Sequence, residues 1–460
     1  MADYHLVIIG AGLSGLAAGI RAARFGRRVL LLEQHWQPGG LNSFYFRQGR
    51  LLETGLHAMT NFAPPRVKHA PLNRLFRQLK LSRQEFQTHE QIGSEVVFPG
   101  KSLRFSNDPA LLTAEIAREF PAVVDDFGRL VEAVKAYDPF TPAPRRSARE
   151  FLGRFLQSPV LTDMLLLPLM VYGNAEEEDM DLGQFVIMFR AIFLEGFFRP
   201  QATIKEFLDL LVARFEEYGG ELRLRTPVLK IVGAGDRVSG VRLASGEEIS
   251  AEAVLSTIGI PGTAELSGWP LDRSAYCGRM SFMETITLVP LRYRPVLRGE
   301  RTIIFFNTRA KFSYRRPQQA LDPSWGVICF PGNFQGLPQL DPFQLRVTNA
   351  ANYELWKAAS QEEYLRMKEE WGAQSADQVR KIIGNYQQNI VYEDRFTPVT
   401  IERFTAKAWG AVYGSPIKQK DGRTPFANLF IAGTDQGYLG IVGAMLSGVT
   451  IVNQHLLQHE

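Results

Sequence analysis

Cysteine is scarce in this chain, which has only Cys277 and Cys329 among its 460 residues. The two cysteines show no CxxC spacing, so the pattern predicts neither a disulfide framework nor a metal site, and it fits a reducing compartment. An excess of one charge sign is also missing, because 52 basic residues face 48 acidic ones and the net charge is only +4. This balance argues against a nucleic-acid partner.

Long apolar runs are missing as well. The longest, such as MLLLPLMVY at 164–172, are much shorter than the roughly 20 residues of a membrane span. Only MADYH precedes the first apolar run, so we expect no signal peptide. These features predict a cytoplasmic protein, and a peripheral contact with the inner face of a membrane stays open.

Length and composition indicate a large soluble protein. A chain of 460 residues exceeds one ordinary core, so two or three domains are expected. Its 45% hydrophobic and 22% charged residues are ordinary for a globular fold, but 31 phenylalanines are many. They indicate either large cores or a surface for an apolar substrate, and composition does not choose between the two.

The first clear motif lies at the start of the chain. The apolar run HLVIIG leads into Gly10, Gly12 and Gly15 in the pattern GxGxxG, and a small-residue helix and a second apolar strand follow. Glu33 ends that strand, at the spacing of about 20 residues where a carboxylate binds a ribose. Strand, turn, helix and acid together predict a dinucleotide site, with the pyrophosphate at the helix N-terminus.

Three features favour FAD over NAD. QPGG at 37–40 follows the acid directly and adds a second glycine turn. The next pattern of this kind, at 207–259, reads as a helix, a strand, a hairpin and another strand. The segment at 428–456 then reads as a strand, a glycine loop and a small-residue helix. A nucleotide domain assembled from three separate segments is unlike the contiguous βα units of most NAD dehydrogenases.

A second nucleotide loop is not predicted. GAGDRVSG at 233–240 lacks the final glycine spacing, and a strand rather than a helix follows it, so a hairpin turn is the better interpretation. A flavin without a resident nicotinamide exchanges electrons with an external acceptor or donor, such as oxygen, a quinone or a redox protein, or with the substrate alone.

These patches resemble the FAD-dependent group of phytoene desaturases, carotenoid cis–trans isomerases and retinol saturases and, more distantly, the flavin amine oxidases. TPVTIERFTAKAWGAVYG at 397–414 resembles the desaturase and saturase members and favours polyene-type substrates. The resemblance implies an α/β fold: a Rossmann-like FAD domain with an inserted α+β substrate domain that contains a mixed or antiparallel sheet and helices.

The resemblance also implies roles for single residues. Gly10, Gly12 and Gly15 would hold the pyrophosphate, and Glu33 would hold the ribose. Val228 would contact the adenine side through its backbone. The carboxylate of Asp435 would reach the ribityl or phosphate region. The full set of predicted cofactor-binding residues is Gly10, Gly12, Leu13, Ser14, Gly15, Glu33, Gln34, Gly39, Gly40, Leu41, Val228, Gly433, Asp435, Gly443, Ala444 and Met445, of which the last three would open the final helix and point its N-terminus at the flavin.

Two positions depart from the related patterns. Many relatives have an acid directly after the glycine of the closing motif, whereas Thr434 stands there and Asp435 follows. Amine oxidases usually have arginine after the double glycine, whereas this chain has Leu41. The second departure weakens an amine oxidase interpretation.

The predicted FAD domain comprises residues 1–60, 200–265 and 396–460, and the substrate domain comprises 61–199 and 266–395.

In the first insertion, LNRLFRQLKL at 72–81 is either a basic amphipathic helix on an anionic membrane or an ordinary surface helix with one face packed inward. Apolar helices at 161–174 and 181–198 suit a substrate tunnel or a buried core equally. In the second insertion, 283–295, 301–310 and 325–330 read as strands, and 351–371 reads as a charged helix.

No catalytic triad, metal cluster or paired carboxylates stand out, which fits a reaction performed mainly by a cofactor. Candidate acid–base groups are His57, Glu402 and Tyr413, in segments expected near the flavin.

The predicted function is an FAD-dependent oxidoreductase that desaturates, saturates or isomerises a long apolar isoprenoid or polyene. The alternatives are a flavin amine oxidase-like enzyme and a non-catalytic prenyl or lipid carrier on the same fold.

Overall fold

The computed structural model describes residues 2–55, 58–141 and 143–457. Within these ranges the strands β1 to β19 are Tyr4–Ile9, Val29–Leu32, Phe44–Arg47, Arg50–Glu53, Met59–Thr60, Thr88–Glu90, Ser94–Phe98, Lys101–Phe105, Phe197–Pro200, Glu221–Arg223, Val228–Ala234, Arg237–Leu243, Glu248–Ser256, Ser281–Val289, Ile303–Asn307, Leu321–Cys329, Phe343–Ala351, Tyr392–Phe396 and Leu429–Ile431. The helices α1 to α14 are Leu13–Ala23, Pro71–Leu79, Pro109–Glu119, Val124–Ala136, Ala148–Gly153, Pro159–Gly173, Leu182–Phe189, Ile204–Glu217, Ile260–Ser267, Arg273–Tyr276, Tyr353–Ala358, Gln361–Ile383, Pro398–Thr405 and Gly440–Ile451.

The first sheet has a parallel core in the order β10, β2, β1, β13 and β19. Its central strands are continuous apolar runs because helices and loops cover both faces. The strands come from three separate segments of the chain, so the nucleotide-type unit is assembled from its start, middle and end. The α/β class predicted from the sequence is therefore confirmed, whereas the domain limits themselves stay predictions.

A hairpin is attached to one side of this sheet. Strands β11 and β12 pair antiparallel, and β12 also pairs antiparallel with the first part of β13. The turn between them falls inside the glycine-containing stretch at 233–240. The prediction of a hairpin there, rather than a second nucleotide loop, is confirmed.

The second sheet forms in the order β18, β14, β17, β16, β15, β7 and β8. Its strands are antiparallel except where β15 runs parallel to β7, so the sheet is mixed. The predicted strands at 283–295, 301–310 and 325–330 correspond to β14, β15 and part of β16. Sequence reasoning missed β17, which lies inside the sheet between β14 and β16, and β7 and β8 from the first insertion.

Helices α3 to α7 and one face of the second sheet share the largest core. From Met164 onward helix α6 is almost entirely apolar, as expected for a helix that is buried on all sides. Two residues near its end, Val171 and Tyr172, also line a cavity. Most of this segment is therefore core and its end reaches a cavity wall, whereas a substrate tunnel stays a prediction.

Helix α2 is the predicted basic amphipathic helix. Leu72, Leu75 and Leu79 are buried in the core beside α1 and α14, whereas Arg74 and Arg77 are exposed. Its apolar face is thus used inside the protein, as in an ordinary surface helix, and not on a membrane. Among the described residues, none of the helices has the length and apolar character of a membrane span.

Candidate cofactor and substrate site

The glycine turn after β1 brings α1 unusually close to the strand. A Cβ atom on Gly15 would lie 2.0 Å from the carbonyl oxygen of Gly10, and Gly10 itself has a φ of +97°. By contrast, a Cβ on Gly12 would meet no heavy atom within 4 Å. The turn is therefore closed where strand and helix pack and open at Gly12, where a ligand can approach the backbone.

Ser14 adds a polar atom at the start of α1. Its Oγ is buried and has no hydrogen-bond partner among the described residues. The N-cap residue, Gly12, offers no side chain to the first N–H groups. The unpaired N–H groups, the Ser14 hydroxyl and the positive end of the helix suit a phosphate. The side chain of the neighbouring Leu13 is buried in the core.

Glu33 lies at the end of β2, and its carboxylate braces the glycine turn. Oε2 accepts a hydrogen bond of 2.8 Å from the Ala11 N–H, and Oε1 accepts one of 3.0 Å from the His35 N–H. Glu33 lines the main cavity and keeps lone pairs for further donors. The adjacent Gln34 is exposed, and its amide lies 3.4 Å from the His35 ring.

The second glycine turn packs directly on the first. The Gly39 N–H donates to the Ala11 carbonyl at 2.9 Å, and a Cβ on Gly40 would lie 3.6 Å from the Gly12 Cα. Gly40 and Leu41 line the cavity. The two turns therefore present one continuous backbone surface.

The closing motif brings residues from the other end of the chain. Gly433 lies beside Ser14, since a Cβ there would be 3.9 Å from the Ser14 Oγ. Thr434 lines the cavity, but Asp435 does not belong to its lining. Instead, the Asp435 carboxylate accepts bonds from the Ile260 N–H at 2.6 Å and the Ser415 N–H at 2.8 Å, so it joins three segments behind the cavity.

The final helix begins earlier than the sequence suggested. We predicted that Gly443, Ala444 and Met445 open it, but α14 begins at Gly440, with no side chain capping its N-terminus. Gly440 and Ala444 line the cavity, whereas Met445 is buried in the core. The uncapped N–H groups of this helix therefore lie at the cavity wall, one turn before the predicted position.

Val228, the remaining predicted cofactor residue, begins β11 and pairs with Leu243. It is only partly buried and packs against the core on the outer side of the first sheet. It does not belong to the lining of the main cavity.

The main cavity has a volume of about 930 Å³ and extends from the glycine turns to the second sheet. The sheet side is a mostly apolar compartment, which we call the chamber. On the turn side the lining includes Glu33, Gly40, Leu41, Thr434, Gly440 and Ala444. The chamber is lined by Val171, Tyr172, Phe282, Glu284, Thr348, Val327, Val412 and Tyr413.

The chamber contains a buried ion pair that sequence reasoning missed. The guanidinium of Arg346 on β17 contacts the Glu284 carboxylate on β14, and the two side chains are 0% and 4% exposed. The contacts to Glu284 come from Nε and Nη2, and Nη2 also donates to the Thr54 carbonyl at 3.2 Å. Alternation along strands could have flagged both charges at inward positions, but only the observed strand pairing shows that they meet.

The three predicted acid–base residues have different surroundings. Tyr413 lines the chamber, its hydroxyl donates to the Val171 carbonyl, and burial raises the pKa of this phenol well above its usual range. Glu402 does not line the cavity: its carboxylate accepts bonds from the Tyr353 hydroxyl at 2.7 Å and from the Lys357 ammonium at 2.8 Å. His57 lies outside the described residues.

Lys418 is a partly buried lysine beside the cavity wall. Its ammonium donates to the carbonyls of Tyr413 and Thr434, each at 3.1 Å, and both residues line the cavity. Burial lowers the pKa of Lys418 to about 8, although Asp435 acts in the opposite direction. The Lys418 side chain therefore connects the segment at Tyr413 with the segment at Thr434.

Curated relatives are similar over long stretches. All-trans-retinol 13,14-reductase of Danio rerio is 23% identical over 535 residues, covering 99% of this chain and 87% of that protein. The lycopene-forming phytoene desaturase of Pseudescherichia vulneris is 27% identical over 289 residues, covering 56% of each. Prolycopene isomerase 2 of an Oncidium hybrid cultivar is 22% identical, covering 91% of this chain and 77% of that protein.

Solved structures share the fold. An oxidoreductase from Methanosarcina mazei superposes with a TM-score of 0.66 at 15% identity, covering 98% of this chain and all of that one. Cyclohexylamine oxidase from Brevibacterium oxydans has a TM-score of 0.63, also at 15% identity, with 98% of each chain covered.

A family model decides the membership. The model for flavin containing amine oxidoreductases matches residues 13–454, nearly the whole chain. That span includes the start of α1, the second sheet and the final helix. The chain therefore belongs to the flavin-containing amine oxidoreductase family and is an FAD-dependent oxidoreductase.

Proposed function

We propose that the enzyme acts on a long apolar isoprenoid or polyene, which it desaturates, saturates or isomerises. The observation that carries this proposal is the continuity of the cavity between the glycine turns and the apolar chamber. The relatives named above carry names that refer to retinol, phytoene and prolycopene. These names support an apolar substrate with conjugated or allylic carbons.

The chamber suits such a substrate because most of its wall is aliphatic or aromatic. Val171, Val327 and Val412 face the cavity, as do Phe282 and Tyr413, whose rings pack edge to face with centroids 6.1 Å apart. Binding an apolar chain here removes water from both surfaces. Water exclusion also protects a reaction in which hydrogen moves at carbon.

The residues around the glycine turns fit FAD. We propose that the open backbone at Gly12 and the unpartnered Ser14 Oγ bind the pyrophosphate, and that Glu33 accepts bonds from the ribose hydroxyls. The N-terminus of α14 would face the flavin, where a partial positive charge stabilises an anionic ring. When bound, FAD accepts or supplies the hydride equivalent of the reaction.

Proton handling falls to the groups that reach the chamber. We propose Tyr413 for this task because it lines the chamber; its single O–H donates to the Val171 carbonyl and would have to leave that carbonyl to reach a substrate. His57 stays a candidate from the sequence. Glu402 also stays a candidate, although its bonds to Tyr353 and Lys357 occupy it on the outer side of α13.

We further propose that electrons leave or enter through an external quinone, oxygen or redox protein, and that the protein touches a membrane near the cavity. Four exposed apolar residues line the cavity, together with basic side chains. This apolar rim consists of Trp36, Phe46, Leu365 and Phe404. Co-sedimentation with phosphatidylglycerol vesicles, but not with phosphatidylcholine vesicles, is expected, and serine at Trp36 and Phe46 should reduce it; equal recovery with both vesicle types would contradict this proposal.

The substrate proposal is tested by extracting the purified, FAD-loaded protein with organic solvent and identifying co-purifying lipids by mass spectrometry. A bound isoprenoid or polyene is the expected result. The complementary assay adds polyenes or amines to the enzyme. Hydrogen peroxide release on amines, with no change in any polyene, would overturn the proposal in favour of an amine oxidase.

A further inference from the structure

We propose that Glu284 accepts a hydrogen bond from a hydroxyl group of the substrate, so that the enzyme selects an isoprenoid alcohol over the corresponding hydrocarbon or carboxylic acid. This inference rests on the proposed function, because it concerns a group on the same substrate in the same chamber. It assigns a specificity role to Glu284 and a positioning role to Arg346.

The register of the second sheet places Glu284 in a defined row. Phe396, Glu284, Thr348, Val327 and Phe305 lie directly opposite one another across five neighbouring strands. The first four of them line the cavity. Because adjacent strands are about 4.8 Å apart, a chain lying along this row passes from the carboxylate to Val327 within about 10 Å. Glu284 is the charged member of the row.

Arg346 holds the carboxylate in place. Its guanidinium binds Glu284 from the neighbouring strand and is anchored by the Thr54 carbonyl at 3.2 Å. Arg346 does not itself belong to the cavity lining, whereas Glu284 does. A ligand therefore meets the carboxylate first. A guanidinium keeps its charge in proteins, so the paired carboxylate remains an acceptor.

This arrangement distinguishes three kinds of ligand. A carboxylate has about four lone-pair positions, so Glu284 can accept a ligand O–H in addition to the bonds from Arg346 and the longer one, of 3.4 Å, from the Thr348 hydroxyl. A hydrocarbon displaces water from Glu284 without replacing its hydrogen bond, which is unfavourable. A ligand carboxylate brings a like charge into a site of low dielectric and is repelled.

A rival position for a polar group exists at the other end of the row. The Tyr172 ring packs against Phe305 with centroids 5.6 Å apart and lines the same cavity. Burial raises the pKa of its phenol well above the usual value, so it stays a neutral hydroxyl. A neutral phenol would not discriminate between an alcohol and an acid by charge. The two positions therefore predict different selectivities.

The experiment measures binding to the FAD-loaded protein by changes in the flavin absorption bands. The probes are all-trans-retinol, its hydrocarbon analogue with a methyl group in place of the hydroxymethyl group, and retinoic acid. The wild type is expected to bind retinol about ten-fold more tightly than either analogue. Glu284→Gln should weaken the discrimination against retinoic acid by about ten-fold, because the amide is uncharged.

A second variant guards against misfolding caused by an unpaired Arg346. The double substitution Glu284→Leu with Arg346→Met removes both charges and should abolish the preference for retinol over the hydrocarbon. Asp394→Asn is the matched control, because Asp394 also lines the cavity but accepts a bond from Tyr45 and lies outside the row. Its selectivity should equal that of the wild type.

The outcomes separate this inference from the proposed function. Equal binding of retinol and its hydrocarbon analogue by the wild type would overturn the inference and leave the polyene function intact. Loss of the preference in Tyr172→Phe but not in the Glu284 variants would overturn it as well. If none of the three probes binds to the FAD-loaded wild type, the inference is overturned, whereas the proposed function is decided separately by the lipid extraction.

Discussion

The glycine turns and the chamber are two halves of one cavity, but they are built from different parts of the polypeptide. At the turns, the wall is largely backbone, and the absence of side chains at Gly12 and Gly15 is what matters. In the chamber, the wall is side chains from one face of a sheet and from helix α6. A backbone site depends on local conformation, whereas a side-chain site depends on strand register over long distances.

The largest expected effect tests the backbone half. In Gly15→Ala the new methyl group would lie 2.0 Å from the Gly10 carbonyl oxygen, so strand and helix must separate. We expect loss of bound FAD, measured by the flavin absorbance of the purified protein. Gly128→Ala is the control, because a Cβ at that helical position meets no heavy atom within 4 Å. Full flavin content in Gly15→Ala would contradict the close-packing argument.

A second prediction concerns a partly buried carboxyl group that lies outside the cavity lining. Glu195 accepts a bond of 2.8 Å from the Asn61 amide, and burial raises its pKa to about 7. Between its unfolded pKa and pH 7, the folded protein holds a proton that the unfolded chain has lost, so stability falls as pH rises through this window. Glu195→Gln should remove a pH-dependent loss on the order of 2 kcal/mol.

The measurement is the free energy of unfolding in urea at pH 5 and pH 7, for the wild type and Glu195→Gln. The free energy of unfolding of the wild type should fall from pH 5 to pH 7 by more than that of the variant. The flavin content of the two proteins should be equal. Parallel pH profiles for the two proteins would show that Glu195 titrates normally.

A smaller effect on FAD binding is expected at Glu33, whose side chain hydrogen-bonds to the backbone of the glycine turn. Glu33→Gln keeps the shape but loses the charge that accepts from Ala11 and His35. We expect FAD affinity to fall by about ten-fold, measured by titrating apoprotein with FAD. Glu252→Gln, at an exposed position of β13, is the control, and a normal affinity in Glu33→Gln would remove the ribose role.

The smallest expected effect is that of Tyr413→Phe. It deletes the hydroxyl that donates to the Val171 carbonyl but keeps the ring against Phe282. We expect stability to fall by about 1 kcal/mol with unchanged FAD content. Turnover is measured under conditions where both proteins are fully folded. A lower turnover in Tyr413→Phe would then support proton handling by Tyr413, whereas unchanged turnover would exclude it.

The sequence was sufficient to predict the turn geometry of the backbone half, because the requirements of that geometry are local, whereas the cofactor roles of its residues stay predictions. Gly10, Gly12, Gly15 and Glu33 follow from a spacing that strand, turn and helix impose within one segment. The hairpin at 233–240 was predicted by the same kind of local signal. The error at α14 had a local cause too: a helix start is hard to place where small residues continue on both sides of it.

The chamber was much less predictable. Glu284 and Arg346 are far apart in the sequence and meet only because β14 pairs with β17, a strand that was not predicted. The cofactor role of Asp435 stays a prediction, but the N–H groups of Ile260 and Ser415 that its carboxylate binds could not be predicted from any pattern in the sequence. Charges at inward strand positions are visible in a sequence, whereas their partners depend on tertiary register.

The pairing of β13 with both β1 and β19 has a consequence for biosynthesis. Strand β1 is synthesised long before β13, its neighbour in the sheet, and β19 and α14, which complete the pocket wall, are synthesised later still. Contacts of such long range are slow to form, and unpaired edges in the meantime favour aggregation. A nascent chain cut short before Leu429 is therefore expected to be a client for chaperones that added flavin does not rescue.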